Sequence, residues 1–330
     1  MRFQDLSLTD LRDLSESMAT VAAATTAGIF TALDEEKATP EKLARRLELD
    51  PRAVGILLPL LEELGLVEGR EGGYRPTPRA QRELIDSGAP EYAAGGLPLW
   101  LSNLEAWTRL PEALKTGEPI GDQETEDDSR TQRERISRFM AGMAAAPEER
   151  IRKLVDGVLA RRPEARTLLD LGGGPGHISR AFVEQGLKAT LVDRPEVVEF
   201  VREEYGLDAI TGLRTVGADF LEDPLPTGPF DILLLSNILH MLPPEGARVL
   251  LEKAGGVAAP GAVVAVADFV RGLSPRATRF AMTMLLRTEG GNTYTLEDHR
   301  AWFRDAGFLD LQVEHLDPER QLLTAVARTA

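Results

Sequence analysis

Apolar residues recur along this chain with two periods, and the change from one to the other divides it. Near the start, Leu11, Leu14, Met18, Val21, Ala22, Ile29 and Leu33 fall at helical spacing and predict one face of a long helix. Thr39 before Pro40, and Asp50 before Pro51, each pair a capping side chain with a proline suited to a first helical turn. They predict a short helix and then a second one running from Pro51 to about Leu64 and stopped by Gly65. Leu66-Val67-Glu68 and Tyr74-Arg75-Pro76, joined by a glycine-rich turn, predict a hairpin. Helix, helix and hairpin in this order predict a winged helix for residues 1–95.

Residues 96–159 read as helical, with one charged interruption, GEPIGDQETEDDSRTQRER, that predicts an exposed loop. Its acids lack the order of ligands around a central glycine that a calcium loop requires. From residue 160 onward the period shortens. Thr167–Leu171 predicts a strand, followed by a glycine loop, a helix from about His177 to Gly186, and a second strand ending at Asp193. A third strand precedes Gly217-Ala218-Asp219-Phe220. Phe230–Ser236, with the continuous apolar run Ile232–Leu235, reads as a buried parallel strand, and Pro243-Pro244 opens the next helix. Ala262–Asp268 predicts another strand, RFAMTMLLRTEGG a helix, and the segment from Thr295 to Leu316 a helix stopped at Gly307 before the final strands. His299 and His315 in that tail are expected at the surface. Strands alternating with helices predict an α/β domain with a mostly parallel sheet over 160–330.

The composition narrows the function. No cysteine is present among 330 residues, which excludes disulfides, thiolate nucleophiles and cysteine-based zinc sites. A formal charge of −15 opposes binding to a phosphate backbone, and no apolar run is long enough to span a bilayer. The start MRFQDLSLTDLRDL lacks the order of a signal peptide, so a cytoplasmic protein acting on small molecules is expected, without metal, membrane or nucleic acid. The predicted recognition helix, PRAVGILLPLLEEL, carries one basic residue, Arg52, against Glu62 and Glu63. It suits burial, dimerisation and a substrate lid better than the major groove.

The candidate chemistry begins at Asp170. Gly172, Gly173, Gly174 and Gly176 allow a tight approach of backbone to a ligand, but a dinucleotide fingerprint would need its third glycine at position 177, which is His177. The lysine of a P-loop is absent as well. The pattern D-x-G-G-G-x-G resembles the first motif of class I S-adenosylmethionine-dependent methyltransferases. An acid at the first strand end suits the ammonium group of that cofactor, and Asp193 falls where a carboxylate accepts ribose hydroxyls. Asp219 and Phe220 offer an acid and an aromatic face for an adenine, or else a turn cap and a core residue. Ser236 closes its strand at the edge where open α/β sheets bind ligands, and is counted with the cofactor-binding residues.

His240 and Asp268 both follow strand ends on that side. A phenol with a pKa near 10 is a poor nucleophile at neutral pH, and a histidine titrating at about 6.5 can take its proton as transfer proceeds. Asp268 would accept the other ring N–H and fix the tautomer; the bland alternative is that His240 caps its loop. Trp100, Trp107, Phe139, Met140 and Met143 supply adaptable apolar surface, suited to an aromatic ligand or to an ordinary core.

In the order of these features, from about residue 10 to 328, the chain resembles the small-molecule O-methyltransferases of the plant caffeate and bacterial polyketide-tailoring type. The resemblance implies an N-terminal winged-helix dimerisation domain, a homodimer and a Rossmann-like catalytic domain. It places the glycine motif on Asp170 to Gly176, the ribose acid on Asp193, the adenine side on Asp219 and Phe220, and the catalytic histidine on His240. Met284 matches a substrate-lining methionine, with Phe280 and Met282 as neighbours; Asn292 and Tyr294 are candidates to hydrogen-bond a polar acceptor. There are departures. Met241-Leu242 stand where the family commonly has Asp-Trp, Asp268 is one methylene shorter than the usual glutamate, and Thr293 replaces a second acid that orients the base.

The expected activity is therefore transfer of methyl from S-adenosylmethionine to a hydroxyl of an aromatic or polyketide-like acceptor, leaving S-adenosylhomocysteine. The weakened surroundings of the base leave open a relative that methylates carbon or nitrogen, or one that uses the same cofactor without methylation. A ligand-sensing DNA-binding regulator is the remote third reading.

Overall fold

A computed structural model describes residues 3–89, 91–120 and 129–328, so part of the expected acidic loop lies outside the described residues. The chain forms two compact units, Met1–Glu105 and Ala106–Ala330. The division falls inside one helix, and most of the stretch read from sequence as a separate helical linker, 96–159, goes with the second unit.

In the first unit α1 (Leu8–Thr26) begins with a capping box, Ser7 and Asp10 each bonding the other's backbone N–H. The single long helix expected here is two: Gly28 takes φ 74, a left-handed conformation that ends α1 and starts α2 (Ile29–Glu35). Spacing alone could not show this, because the apolar stripe resumes in register. Ala22, Ala24, Ile29, Phe30 and Leu33 enter a core, whereas Leu8, Leu11, Leu14 and Met18 stay exposed. α3 (Pro40–Leu47) and α4 (Pro51–Glu63) start where the caps predict, Thr39 and Asp50 accepting from Lys42 N and Ala53 N. β1 (Val67–Arg70) pairs antiparallel with β2 (Gly73–Pro76). A Cβ on Gly73 would stand 2.3 Å from the Ala38 carbonyl, so only glycine lets Tyr74 exchange backbone bonds with Ala38. A short α5 (Pro78–Ala80) follows, and then α6 (Leu97–Thr108), where the units divide.

The second unit continues with α7 (Leu110–Thr116), α8 (Ser129–Ala144) and α9 (Glu148–Arg161). Its sheet runs in the order β5-β4-β3-β6-β7-β9-β8. β3 (Thr167–Leu171), β4 (Lys188–Asp193), β5 (Leu213–Gly217), β6 (Phe230–Ser236) and β7 (Ala258–Asp268) are parallel. β9 (Gln321–Ala327) returns antiparallel against β7 and carries β8 (Phe308–His315) at the edge. β7 starts four residues earlier than its apolar run suggests, because Ala258 pairs with Phe230 ahead of an irregularity in the register.

Helices α10 (His177–Glu184), α11 (Pro195–Tyr205), α12 (Pro244–Gly256), α13 (Ala277–Arg287) and α14 (Leu296–Asp305) connect or flank these strands. Leu168, Ile232, Leu234, Val263 and Ala265 face one core, and Leu169, Leu233, Leu235, Val264 and Val266 face another, as alternation along central strands requires. His315 is exposed as expected, but His299 is 1% exposed. It shares the inner face of α14 with Trp302 and Phe303, and its Nδ1 lies 2.8 Å from the Thr295 carbonyl. Its spacing of three and four residues from those aromatics was the available sign of burial.

Candidate active site

Because β3 to β7 are parallel, the residues following each of them gather at one edge of the sheet. The glycine loop leaves β3 there. Gly172 takes φ 72 and donates its N–H to the Val192 carbonyl at 2.7 Å; a Cβ on it would stand 2.1 Å from Ile238 Cδ1 and 3.7 Å from the ring of Phe220. Gly174, at φ 51, donates to Asp193 Oδ2 at 2.9 Å, while the other oxygen of Asp193 accepts from Arg194 N at 2.8 Å. The loop and the second strand end are thus locked together, with Phe220 packed beside Gly172.

Asp170 is 1% exposed. Its Oδ2 accepts from the Ser179 hydroxyl at 2.6 Å and its buried Oδ1 has no partner among the described residues. Burial pushes this carboxyl up to about 7, the Ser179 hydroxyl offsetting part of the rise and the charge of Asp193 adding to it. Burial also raises Asp193, against the two N–H groups that favour its charge. A buried acid with an unused oxygen, next to a backbone that carries no side chains, fits a ligand with a cationic group. The donor and acceptor set fits S-adenosylmethionine: Asp170 could take its ammonium, Gly172 to Gly174 could lie against its body, and Asp193 could accept from its ribose. Asp219 is exposed and accepts from Leu221 N at 2.8 Å and Glu222 N at 3.4 Å, capping its own turn. Ser236 stands half-buried at the end of β6, with its hydroxyl 3.3 Å from the Asn237 amide.

His240 lies in a helical turn after β6, Leu239–Met241, and is 4% exposed. Its Nδ1 is 2.6 Å from Asp268 Oδ1, and its backbone N–H points to Oδ2 of the same carboxylate at 3.3 Å. Phe269 N also donates to Asp268, at 2.7 Å. Burial alone would raise Asp268, but the adjacent His240, with His299 further off, outweighs it and holds this carboxyl below its ordinary value. With Nδ1 bound, Nε2 is the ring nitrogen left for chemistry. Phe280 stands edge-on to the imidazole at 4.9 Å and stacks at 4.3 Å on Phe269, a residue the sequence reading did not single out.

Two candidates for acceptor recognition also bond the loop of His240. The backbone N–H of Asn292 donates to the His240 carbonyl at 2.9 Å, and its side-chain oxygen accepts from Arg271 at 2.6 Å and Thr293 N at 2.9 Å. Tyr294 is 7% exposed and donates its hydroxyl to the Leu242 carbonyl, burial pushing the phenol up to about 12. Through the Asn292 backbone and the Tyr294 hydroxyl, both tie down the loop that carries the histidine. Thr293, in place of the second acid, donates its hydroxyl to the Ala277 carbonyl at 3.1 Å.

Of the apolar pocket candidates, Met284 is buried on α13, Met143 is half-buried, and Trp107 and Phe139 are exposed on α6 and α8. Met140, one residue from Phe139, is the buried one, its sulfur 3.6 Å from where a Cβ on Gly174 would stand.

A mostly parallel seven-stranded sheet whose strand ends present this glycine loop and the two acids beside it has the architecture of the class I S-adenosylmethionine-dependent methyltransferases. A model of the O-methyltransferase domain matches residues 122–309. The chain is 32% identical over 311 residues to the 3-hydroxy-5-methyl-1-naphthoate 3-O-methyltransferase of Streptomyces sahachiroi, covering 91% of this chain and 88% of the relative. It is 31% identical over 297 residues to the tetracenomycin polyketide synthesis 8-O-methyl transferase TcmO of Streptomyces glaucescens, covering 86% and 85%. The fold matches that of human N-acetylserotonin methyltransferase, solved in complex with S-adenosylmethionine, with a TM-score of 0.84 at 22% identity over 98% of this chain and 97% of that one. The chain belongs to the O-methyltransferase family, and it is an enzyme that transfers methyl from S-adenosylmethionine to a hydroxyl.

Proposed function

We propose that the acceptor is a phenolic hydroxyl on an aromatic or polyketide-derived small molecule, and that His240 is its general base. The observation that carries this is the buried His240–Asp268 pair, 2.6 Å apart, at the same sheet edge as the glycine loop. Asp268 fixes the protonated nitrogen at Nδ1 and leaves Nε2 to take the phenol proton. As that proton arrives, the carboxylate stabilises the imidazolium in a setting from which water is largely excluded. Phe269 and Phe280 hold the ring from the side, Asn292 holds the His240 carbonyl and Tyr294 the Leu242 carbonyl two residues on, so the base is positioned before the acceptor binds. Bound S-adenosylmethionine supplies a methyl group activated by its sulfonium charge. The two Streptomyces relatives, one a naphthoate O-methyltransferase and the other of tetracenomycin polyketide synthesis, support an aromatic acceptor.

The reading includes a cytoplasmic homodimer, supported by the exposed apolar stripe of α1, and no nucleic-acid partner, since Arg52 is the only basic residue on α4. His240→Ala tests the base: turnover of a phenolic acceptor should fall about 10²- to 10⁴-fold with the affinity for S-adenosylhomocysteine unchanged. Full turnover by this variant would overturn the assignment.

A further inference from the structure

A group of cationic side chains borders the same edge and takes no part in the chemistry above. Arg150 comes from the first turn of α9, Arg320 from the turn between β8 and β9, and Arg276 from the start of α13, while His177 opens α10 directly after the glycine loop. Two carboxylates face them. Asp317 accepts from the backbone of Glu319 and Arg320 at 2.7 and 2.8 Å, and its other oxygen lies 2.5 Å from Arg150 and 4.0 Å from Arg320. Glu319 is 3.6 Å from Arg276. Three guanidinium groups against two carboxylates leave one positive charge in excess.

That excess sits where it is costly. The Arg320 side chain is 19% exposed, and both its Nε and Nδ1 of His177 are buried without a hydrogen-bond partner among the described residues. Burial, with the charge of Arg150 behind it, pushes Arg320 down to about 10 and His177 down to about 4. His177 is therefore neutral at physiological pH and offers one ring N–H. A surplus buried cation with unused donors is stable when an anion completes it.

The group also adjoins the base. The Arg320 guanidinium stacks 4.3 Å from the centre of Phe269, whose ring is packed on Phe280 and through it on His240. Gln321, the next residue, pairs with Asp268 in the sheet.

We propose that Arg320, together with Arg150 and His177, forms a subsite for the carboxylate of a small ligand of the active site. Arg320 and Arg150 supply the charge and the planar N–H donors, and His177 supplies a neutral donor from the glycine-loop side. A carboxylate reaches this edge from two sources, the amino-acid end of S-adenosylmethionine or a ring carboxylate on the acceptor. Only the second source rests on the acceptor reading above.

Calorimetric titration of the full-length protein separates the sources. The probes are S-adenosylhomocysteine against methylthioadenosine, which lacks the carboxylate, and 3-hydroxy-1-naphthoate against its methyl ester. Arg320→Gln and Arg150→Gln should weaken the carboxylate-bearing member of one pair about 10- to 100-fold and leave its carboxylate-free partner unchanged. Arg320→Lys, which keeps the charge and loses the fork, should fall between, and unfolding midpoints check that each variant is folded. A selective loss in the first pair assigns the subsite to the cofactor, and one in the second to the acceptor. The proposal is overturned if the Gln variants keep wild-type affinity for both acids, or lose acid and carboxylate-free probe alike. Turnover by His240→Ala fails or succeeds independently of these affinities, so the base and the subsite are judged apart.

Discussion

Buried carboxylates of opposite protonation tendency mark the site at the scale of single residues. Asp268 is held below its ordinary value and Asp170 is pushed up to about 7 from 3.8, although both are almost fully buried. The difference lies in their neighbours: Asp268 has an imidazole at 2.6 Å, whereas Asp170 has one hydroxyl and a like charge nearby. An acid whose value rises on folding binds protons more tightly in the native state. Its contribution to stability is complete below 3.8 and declines as pH rises to about 7. Urea unfolding of Asp170→Asn should therefore show a flatter pH dependence between these limits, and a stability relative to wild type that improves from pH 4 to pH 8. A cationic ligand group favours the ionised form, so S-adenosylhomocysteine binding near pH 7 should release protons, read as a dependence of the calorimetric heat on buffer ionisation. The Asn variant should lose that dependence.

At the scale of elements, the segment from Asn292 to Tyr294 determines how firmly His240 is held. It lies next to the loop after β6 without belonging to it, and grips that loop through one backbone N–H and one phenol. Tyr294→Phe leaves the Leu242 carbonyl without its buried donor and should cost about 1–3 kcal/mol of stability. It should also lower kcat more than it changes KM for the acceptor, because the loop loosened is the one that carries the proposed base. Steady-state kinetics beside thermal unfolding checks both, and an unchanged kcat would mean that the remaining bonds suffice. Element boundaries were largely legible beforehand: Thr39, Asp50, Gly65 and Gly307 stand where α3, α4 and α14 begin or end. The break at Gly28 was not, because a stripe that continues in phase across a kink looks like one helix.

At the scale of the molecule, an exposed apolar stripe remains on α1 among the described residues. Leu8, Leu11, Leu14 and Met18 are 86, 39, 43 and 37% exposed, while residues further along the same helix enter the core. Apolar side chains repeated along one helix face suit a second copy of this surface. The double substitution Leu11→Glu with Leu14→Glu should convert a dimer to monomers in light scattering without lowering the unfolding temperature of either unit. Monomeric wild-type protein would remove the homodimer from the reading.

The sequence by itself determined the α/β class, the parallel strands and the loop chemistry, since alternation, caps and glycines act over a few neighbouring residues. It also placed Asp170, Asp193, His240 and Asp268 at strand ends, where a parallel sheet gathers them. What only the tertiary structure decided depends on residues far apart in the chain. Tyr294 and Asn292 bond the loop of His240, and Arg150, His177 and Arg320 share one charged corner. In each case a side chain takes the partner that packing brings to it, and no periodicity along the chain records which partner that is.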